Sequence, residues 1–182
     1  MQSTDILKHE HRIIELVLNA LEGMAQEAEA GRLPDRERAE KALELLRNFA
    51  DKCHHGKEER ELFKVLEARG MSHEAGPLAV MRQEHEAGRE HIREMAAALA
   101  VMGSDPQALA RFAEHARGYV ELLRHHIWKE DHVLFPMAEQ ALSSADDQAL
   151  VEVFEAVEKE EIGEGVHEKY HEWAHELVGE AG

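Results

Sequence analysis

The sequence predicts an all-α fold: an up-down-up-down antiparallel four-helix bundle with an additional C-terminal helical arm. Three observations predict it. Strand-like alternation is nearly absent, and apolar residues recur three and four apart along almost the whole chain, which is the period of an amphipathic helix. Helix-stopping and helix-starting residues interrupt that pattern with only short connections between, so consecutive helices should be antiparallel neighbours. Part of the chain is also written twice. His54-His55-Gly56-Lys57-Glu58-Glu59-Arg60-Glu61-Leu62-Phe63 and His126-Ile127-Trp128-Lys129-Glu130-Asp131-His132-Val133-Leu134-Phe135 both read H-x-x-K-E-[ED]-x-x-L-F, offset by 72 residues. Upstream of each copy, Leu7-Lys8-His9-Glu10-His11 and Met81-Arg82-Gln83-Glu84-His85 both read [LM]-[KR]-x-E-H.

The elements follow in order. Ser3-Thr4-Asp5 offers capping side chains for a first helix, and Gly31 stops it. Pro34-Asp35 opens a second helix that runs to Gly70. Pro77 sits in the first turn of a third, ending at Gly103. Ser104-Asp105-Pro106, a cap followed by proline, starts a fourth. Pro136 lies inside that fourth pattern and should kink or shorten it. Ser143-Ser144 marks a break, after which 146–161 and 166–178 look helical, with Gly163 and Gly165 between them. No linker is rich enough in Gly, Pro or Ser to divide the chain. Residues 1–145 are therefore read as the bundle and 146–182 as an extension packing on the same domain.

Composition narrows the function. The 182 residues carry 21 Lys+Arg against 38 Asp+Glu, a formal charge of −17. Nucleic acid and anionic membrane surfaces are disfavoured as partners, because both need a basic face. No apolar run approaches a membrane span, and Met1-Gln2-Ser3-Thr4-Asp5 does not read as a signal peptide. A single cysteine, Cys53, excludes an intrachain disulfide and fits a cytoplasmic location. The unusual count is 14 histidines.

Four of those histidines fall at one level. His11 lies 20 residues before Gly31, His54 lies 20 after Pro34, His85 lies 18 before Gly103, and His126 lies 20 after Pro106. At about 1.5 Å per residue all four sit roughly 30 Å from the same end of the bundle. Each also falls on an apolar stripe: Leu7, His11, Ile14 and Leu18; Leu43, Ala50 and His54; Leu78, Met81, His85 and Ile92; Tyr119, Leu122 and His126. A single His-x-x-x-Glu pair is ordinarily a solvated contact on a helix face. Two matched pairs and two matched lone histidines, all facing inward, carry a desolvation cost that metal binding would relieve. The candidate ligands are His11, His54, Glu58, His85, His126 and Glu130. Imidazole with carboxylate suits iron, manganese or zinc. With two metals, each takes two histidines and shares Glu58 and Glu130 as bridges. That leaves open positions for O2, NO or peroxide.

These residues resemble the hemerythrin-like, HHE cation-binding domain over roughly residues 4–140, and the K-E-E-x-x-L-F and K-E-D-x-x-L-F contexts are similar as well. The resemblance implies a four-helix bundle holding non-haem iron, usually a di-iron centre. It also implies small-ligand chemistry: oxygen carriage, oxygen or iron sensing, NO or peroxide turnover, or iron handling. Arg89 stands where the oxygen carriers place a further histidine, which makes the chain similar to the plainer cation-binding branch. The carriers' spacing on the last helix would select Asp131, but the internal repeat favours Glu130. The resulting reading is a non-haem, di-iron, hemerythrin-like protein that binds or reacts with O2, NO or peroxide. The alternatives are an iron- or oxygen-responsive sensor module, or an iron storage or handling protein without catalysis.

The remaining candidates have plainer roles. Glu10, Glu59, Glu84 and Asp131 adjoin ligand positions, about 100° round the helix, and are expected to be solvated or to support the ligands. Cys53, Met24 and Met95 are expected to be packing residues. The arm carries Glu164, His167, His171 and His175, and one expectation is that this row forms a surface or bundle-capping face, the alternative being that the arm folds over the bundle to supply His167 or Glu164 where Arg89 stands. A second is that Gly88, beside His85, leaves room for solvent.

Overall fold

The computed structural model describes residues 1–161, 163 and 166–179, and these are all-helical, with no strand among them. We label the helices α1 (Gln2–Glu29), α2 (36–68), α3 (Pro77–Val101), α4 (108–141), α5 (Ser144–Glu161) and α6 (Val166–Gly179). Each of α1 to α4 touches two of the others, so the four long helices close a ring; α5 packs on α1 and α2, and α6 packs on the same pair. Ion pairs set the relative directions. Glu29 pairs with Arg117, Glu22 with Arg124, and Lys8 with Glu139, so α1 and α4 run oppositely. Arg89 pairs with Asp51 and Arg82 with Glu67, which opposes α2 and α3.

The turns largely follow the sequence. Gly31, Gly70 and Gly76 adopt positive φ of 74°, 99° and 75°, a region that costs a residue with a Cβ but not glycine. Asp35 caps α2 by accepting from the Arg38 N–H at 2.8 Å. Ser143 and Asp146 cap α5 reciprocally, the Ser143 N–H donating to Asp146 at 2.8 Å and the Asp146 N–H to the Ser143 hydroxyl at 3.2 Å.

Three expectations change. Ser3-Thr4-Asp5 does not cap α1, which already begins at Gln2. Its first amides donate instead to the Asp147 carboxylate on α5, Gln2 at 3.1 Å and Ser3 at 2.9 Å. A carboxylate 144 residues distant in sequence therefore does the capping. α4 begins its helical turns at Ala108, two residues after Pro106, while Asp105 accepts from the Gln107 N–H at 2.9 Å. Pro136 does not end the helix, which runs on to Ala141. Just before it, Glu130–Leu134 opens into a wide π-helical turn. The repeat counterpart Glu58–Leu62 opens in the same way with Lys64 in the place of the proline, so the wide turn does not depend on Pro136. α2 has two further wide stretches, Leu46–His55 and Glu58–Leu62.

The core is split in two. One apolar cluster gathers Ile14, Leu18, Leu21, Met24, Phe49, Phe112, Tyr119 and Leu123. The other gathers Leu7, Leu62, Phe63, Leu66, Leu78, Leu134, Phe135 and Phe154. Each long helix crosses from one cluster to the other, and between them lies a layer of buried polar side chains: Glu10, His11, His54, His55, Lys57, Glu58, His85, His126 and Glu130. Leu21→Ala, in the larger cluster, should cost about 2–5 kcal/mol in urea unfolding. Asp147→Ala should cost about 1 kcal/mol through the lost cap. Leu33→Ala, at a position 66% exposed, should stay within about 0.5 kcal/mol.

Candidate metal centre

All six of the sequence's candidate ligands converge in the polar layer. His11 and His54 meet Glu58 and Glu130 in one group, and His85 and His126 meet Glu58 in another; the ligand atoms of each group lie within 4.8 Å of one another. Glu58 Oε1 is 3.6 Å from His54 Nε2, and its Oε2 is 3.4 Å from His85 Nε2. Glu130 Oε1 is 3.2 Å from His126 Nε2, and its Oε2 is 3.1 Å from His11 Nε2. Each carboxylate thus turns one oxygen to each half of the site. His85 Nε2 and His126 Nε2 are 3.0 Å apart. Donors about 2.0–2.2 Å from one cation lie roughly 3–3.5 Å apart at ordinary coordination angles.

A carboxylate holds the back of each of these four histidines. The Nδ1 atoms lie 2.7 Å from Asp131 (His11), 2.8 Å from Glu10 (His54), 2.6 Å from Glu59 (His85) and 2.9 Å from Glu84 (His126). An Nδ1–H that donates outward leaves the Nε2 lone pair facing inward, as metal-binding histidines require. The four acids adjoining the ligand positions therefore orient the rings. The repeat's terminal phenylalanines also gain a role. Phe135 stacks on His11 at 5.6 Å and Phe63 on His85 at 6.2 Å, with ring planes within 11° and 8°.

The structure adds a histidine that the sequence reading left out. His55 is 3% exposed, joins the group of Glu58, His85 and His126, and stacks on the His85 ring at 3.8 Å. On a regular helix it would lie about 100° from His54. Both residues close the wide stretch Leu46–His55, where i→i+5 bonding puts more residues in each turn and narrows that angle. The sequence held one usable signal. The repeat counterpart of His55 is Ile127, an apolar residue in a core position, 3% exposed.

Arg89 consequently leaves no gap in the layer. Its guanidinium lies behind the site, 2.8 Å from Asp51 and 2.8 Å from Glu59. Asp51 is 3.5 Å from His55 Nδ1, so Arg89 steadies the acids behind His85 and His55. The space beside Gly88 is filled as well: a Cβ there would stand 3.4 Å from the buried Tyr119 ring. Cys53 is fully buried, and burial pushes its thiol up to about 12, which fits a packing role. Met24 and Met95 are core residues. His167 joins neither group at the centre and lies instead beside Glu10 and Glu158, at 3.8 and 3.9 Å. Glu164 lies outside the described residues.

The electrostatics of the layer favour a cation. His11 Nε2, His54 Nε2 and all four oxygens of Glu58 and Glu130 are buried without a hydrogen-bond partner. Burial, then the charge of Glu130, pushes the Glu58 carboxyl well above its ordinary range. Burial acts on Glu130 too, but the charges of His126 and His11 prevail and hold it well below. Burial lowers His55 to about 4, which keeps it neutral and able to coordinate near pH 7. Two facing carboxylates and a ring of imidazole nitrogens make a donor set suited to iron, manganese or zinc.

The chain matches the family described as the hemerythrin HHE cation binding domain over residues 2–138, and it belongs to that family. It is also 28% identical over 124 residues to an uncharacterized protein of Mycobacterium bovis and to two uncharacterized proteins of Mycobacterium tuberculosis strains. The match covers 68% of this chain and 48% of each relative, so the chain spans about half the length of those proteins. No solved structure matches it significantly. Among the described residues, no helix is long and apolar enough to cross a membrane.

His55→Ala should lower bound metal by at least about tenfold in affinity, while Arg89→Ala, which removes only a support behind His85 and His55, should cost less. Metal analysis after dialysis against graded chelator reads both. Equal losses would place Arg89 and His55 in the same role.

Proposed function

We propose that this member of the hemerythrin HHE cation-binding family is a cytoplasmic protein holding two metal ions, iron in preference to manganese or zinc, and binding or reacting with O2, NO or peroxide. The long helices are read as an up-down-up-down antiparallel bundle, with α5 and α6 added to one side. His11 and His54 would hold one metal, and His55, His85 and His126 the other. Glu58 and Glu130 would be shared between them. The observation that carries this reading is the arrangement of the two carboxylates, each with one oxygen toward each half of the site.

The donor count is unequal. Three histidines stand on one side and two on the other, so the His11–His54 side is short of a protein donor. A small exogenous ligand fits there. The five histidines and two glutamates are each 3% exposed or less, which keeps large substrates away and suits a ligand as small as O2, NO or peroxide. Iron, when bound, supplies one-electron and O2 chemistry. The protein's part is to orient and to exclude water. Glu10, Glu59, Glu84 and Asp131 fix the ring tautomers, while Phe63 and Phe135 cover two of the rings.

Elemental analysis after anaerobic, iron-supplemented expression should find about two metal atoms per chain; only a trace would sink the reading. Glu58→Ala or Glu130→Ala should abolish the coupled two-metal spectrum, and Asp131→Ala should leave it largely in place. Should Asp131→Ala be the damaging change and Glu130→Ala the silent one, the bridge assignment is wrong. Acidification should release the metal, because each ligand must be unprotonated to bind it. The bound fraction, followed by optical absorbance, should therefore fall with falling pH, and the metal-free protein should melt at a lower temperature than the loaded one.

A further inference from the structure

Among the described residues, a further cluster of ligand-type side chains stands outside the centre, on one side of it. Glu10 and Glu84 are counterparts in the repeat, each receiving a ring Nδ1–H from a ligand histidine. Glu84 and its partner Lys129 remain partly open, at 19% and 32% exposure. Glu10 is 1% exposed, in contact with residues of α5 and α6. Its Oε2 accepts from His54 Nδ1, while its Oε1 turns outward to Lys57 and lies 3.8 Å from His167 Nε2. Glu158 Oε2 is 3.2 Å from Lys57 Nζ and 3.9 Å from His167 Nε2. His167 Nε2 is buried without a hydrogen-bond partner, and so is His171 Nε2 one turn later. A cleft lined by Asp5, His9, Glu10, Glu158 and His167 opens beside them.

We propose that Glu10, Glu158 and His167 form an outer divalent-cation site that loads the centre; this rests on reading the centre as a metal site. One ligand atom from each of the three lies within 4.8 Å of the other two. Two carboxylates with an imidazole suit Fe2+, Mn2+ or Zn2+. The Lys57 ammonium bonds both carboxylates and neutralises one of their two charges, so the cluster still attracts a cation. A cation must displace that ammonium, which makes the outer site weaker than the centre and suits it to transfer. An ion-pair network of Lys57, Glu10 and Glu158 alone would need no histidine, and it leaves the buried, unpartnered Nε2 atom of His167 unexplained. Glu10 joins the two places, with one oxygen at the outer site and the other behind His54. The cleft thus meets the centre on the His11–His54 side, where protein donors are fewest.

Co2+ added to iron-loaded protein tests the site. Wild type should bind about one further equivalent, and His167→Ala combined with Glu158→Gln should weaken that binding at least about tenfold. Fe2+ uptake by metal-free protein should slow in the same variant, with final iron content unchanged. The single variant His167→Gln, which keeps the size of the side chain, should show the same effects if the double variant folds poorly. Equal Co2+ binding and equal uptake rates in wild type and His167→Gln would overturn the proposal, whatever the centre holds. His126→Ala separates the two readings, since it should lose iron at the centre and keep the outer Co2+ equivalent. A wild type that never retains iron would sink the reading of the centre, and the Co2+ comparison between wild type and His167→Gln would still decide the outer site.

Discussion

Two carboxylates face each other in the middle of this protein, ringed by five imidazoles, and none of the four oxygens has a hydrogen-bond partner. Burying unpaired groups of this kind costs several kcal/mol each, so the metal-free layer works against the apolar clusters on either side of it. A cation held there would remove the conflict by giving the inward atoms partners. The apolar clusters then serve as walls. They hold four helices close enough for the donors to meet and keep water from competing for the donor positions.

Around that layer the chain uses one device repeatedly. A ligand histidine points inward, a carboxylate from another helix holds its outer nitrogen, and a cation holds the carboxylate from outside. His54, Glu10 and Lys57 form one such series, and His126, Glu84 and Lys129 form its counterpart. His11, Asp131 and Arg12 match His85, Glu59 and Arg89 in the same way. The K-E-[ED] segment shared by the two copies of the repeat is thus explained residue by residue: the lysine fixes a supporting acid, the first acid faces the centre, and the second supports a ring.

Function enters where the two halves differ. His55 stands opposite Ile127, which gives one side of the centre a third imidazole. Among the described residues, α5 and α6 cover the half containing Glu10 and Lys57, and they bring His167 and Glu158 to it. The side with fewer donors is therefore also the side reached by the added arm. A symmetric duplication explains why there is a centre; the departures from symmetry give its two halves different sets of candidate donors.

The sequence by itself determined the helical fold, its principal turns and six of the residues that converge. Those features depend on local rules: a 3.6-residue period, glycine and proline at turns, and a repeat whose copies can be aligned by eye. It also singled out the acids beside the ligand positions, because adjacency in sequence is adjacency on a helix. His55 was legible only through its repeat counterpart, the apolar Ile127. Ile127 is buried at the same place on a regular helical stretch, so the burial was readable from the repeat, but the meeting of His55 with Glu58, His85 and His126 was not. The cap supplied by Asp147, the covering of Gly88 by Tyr119 and the position of His167 were decided only by tertiary structure. Each joins segments far apart in the chain, and no local spacing encodes which distant side chain fills a given space.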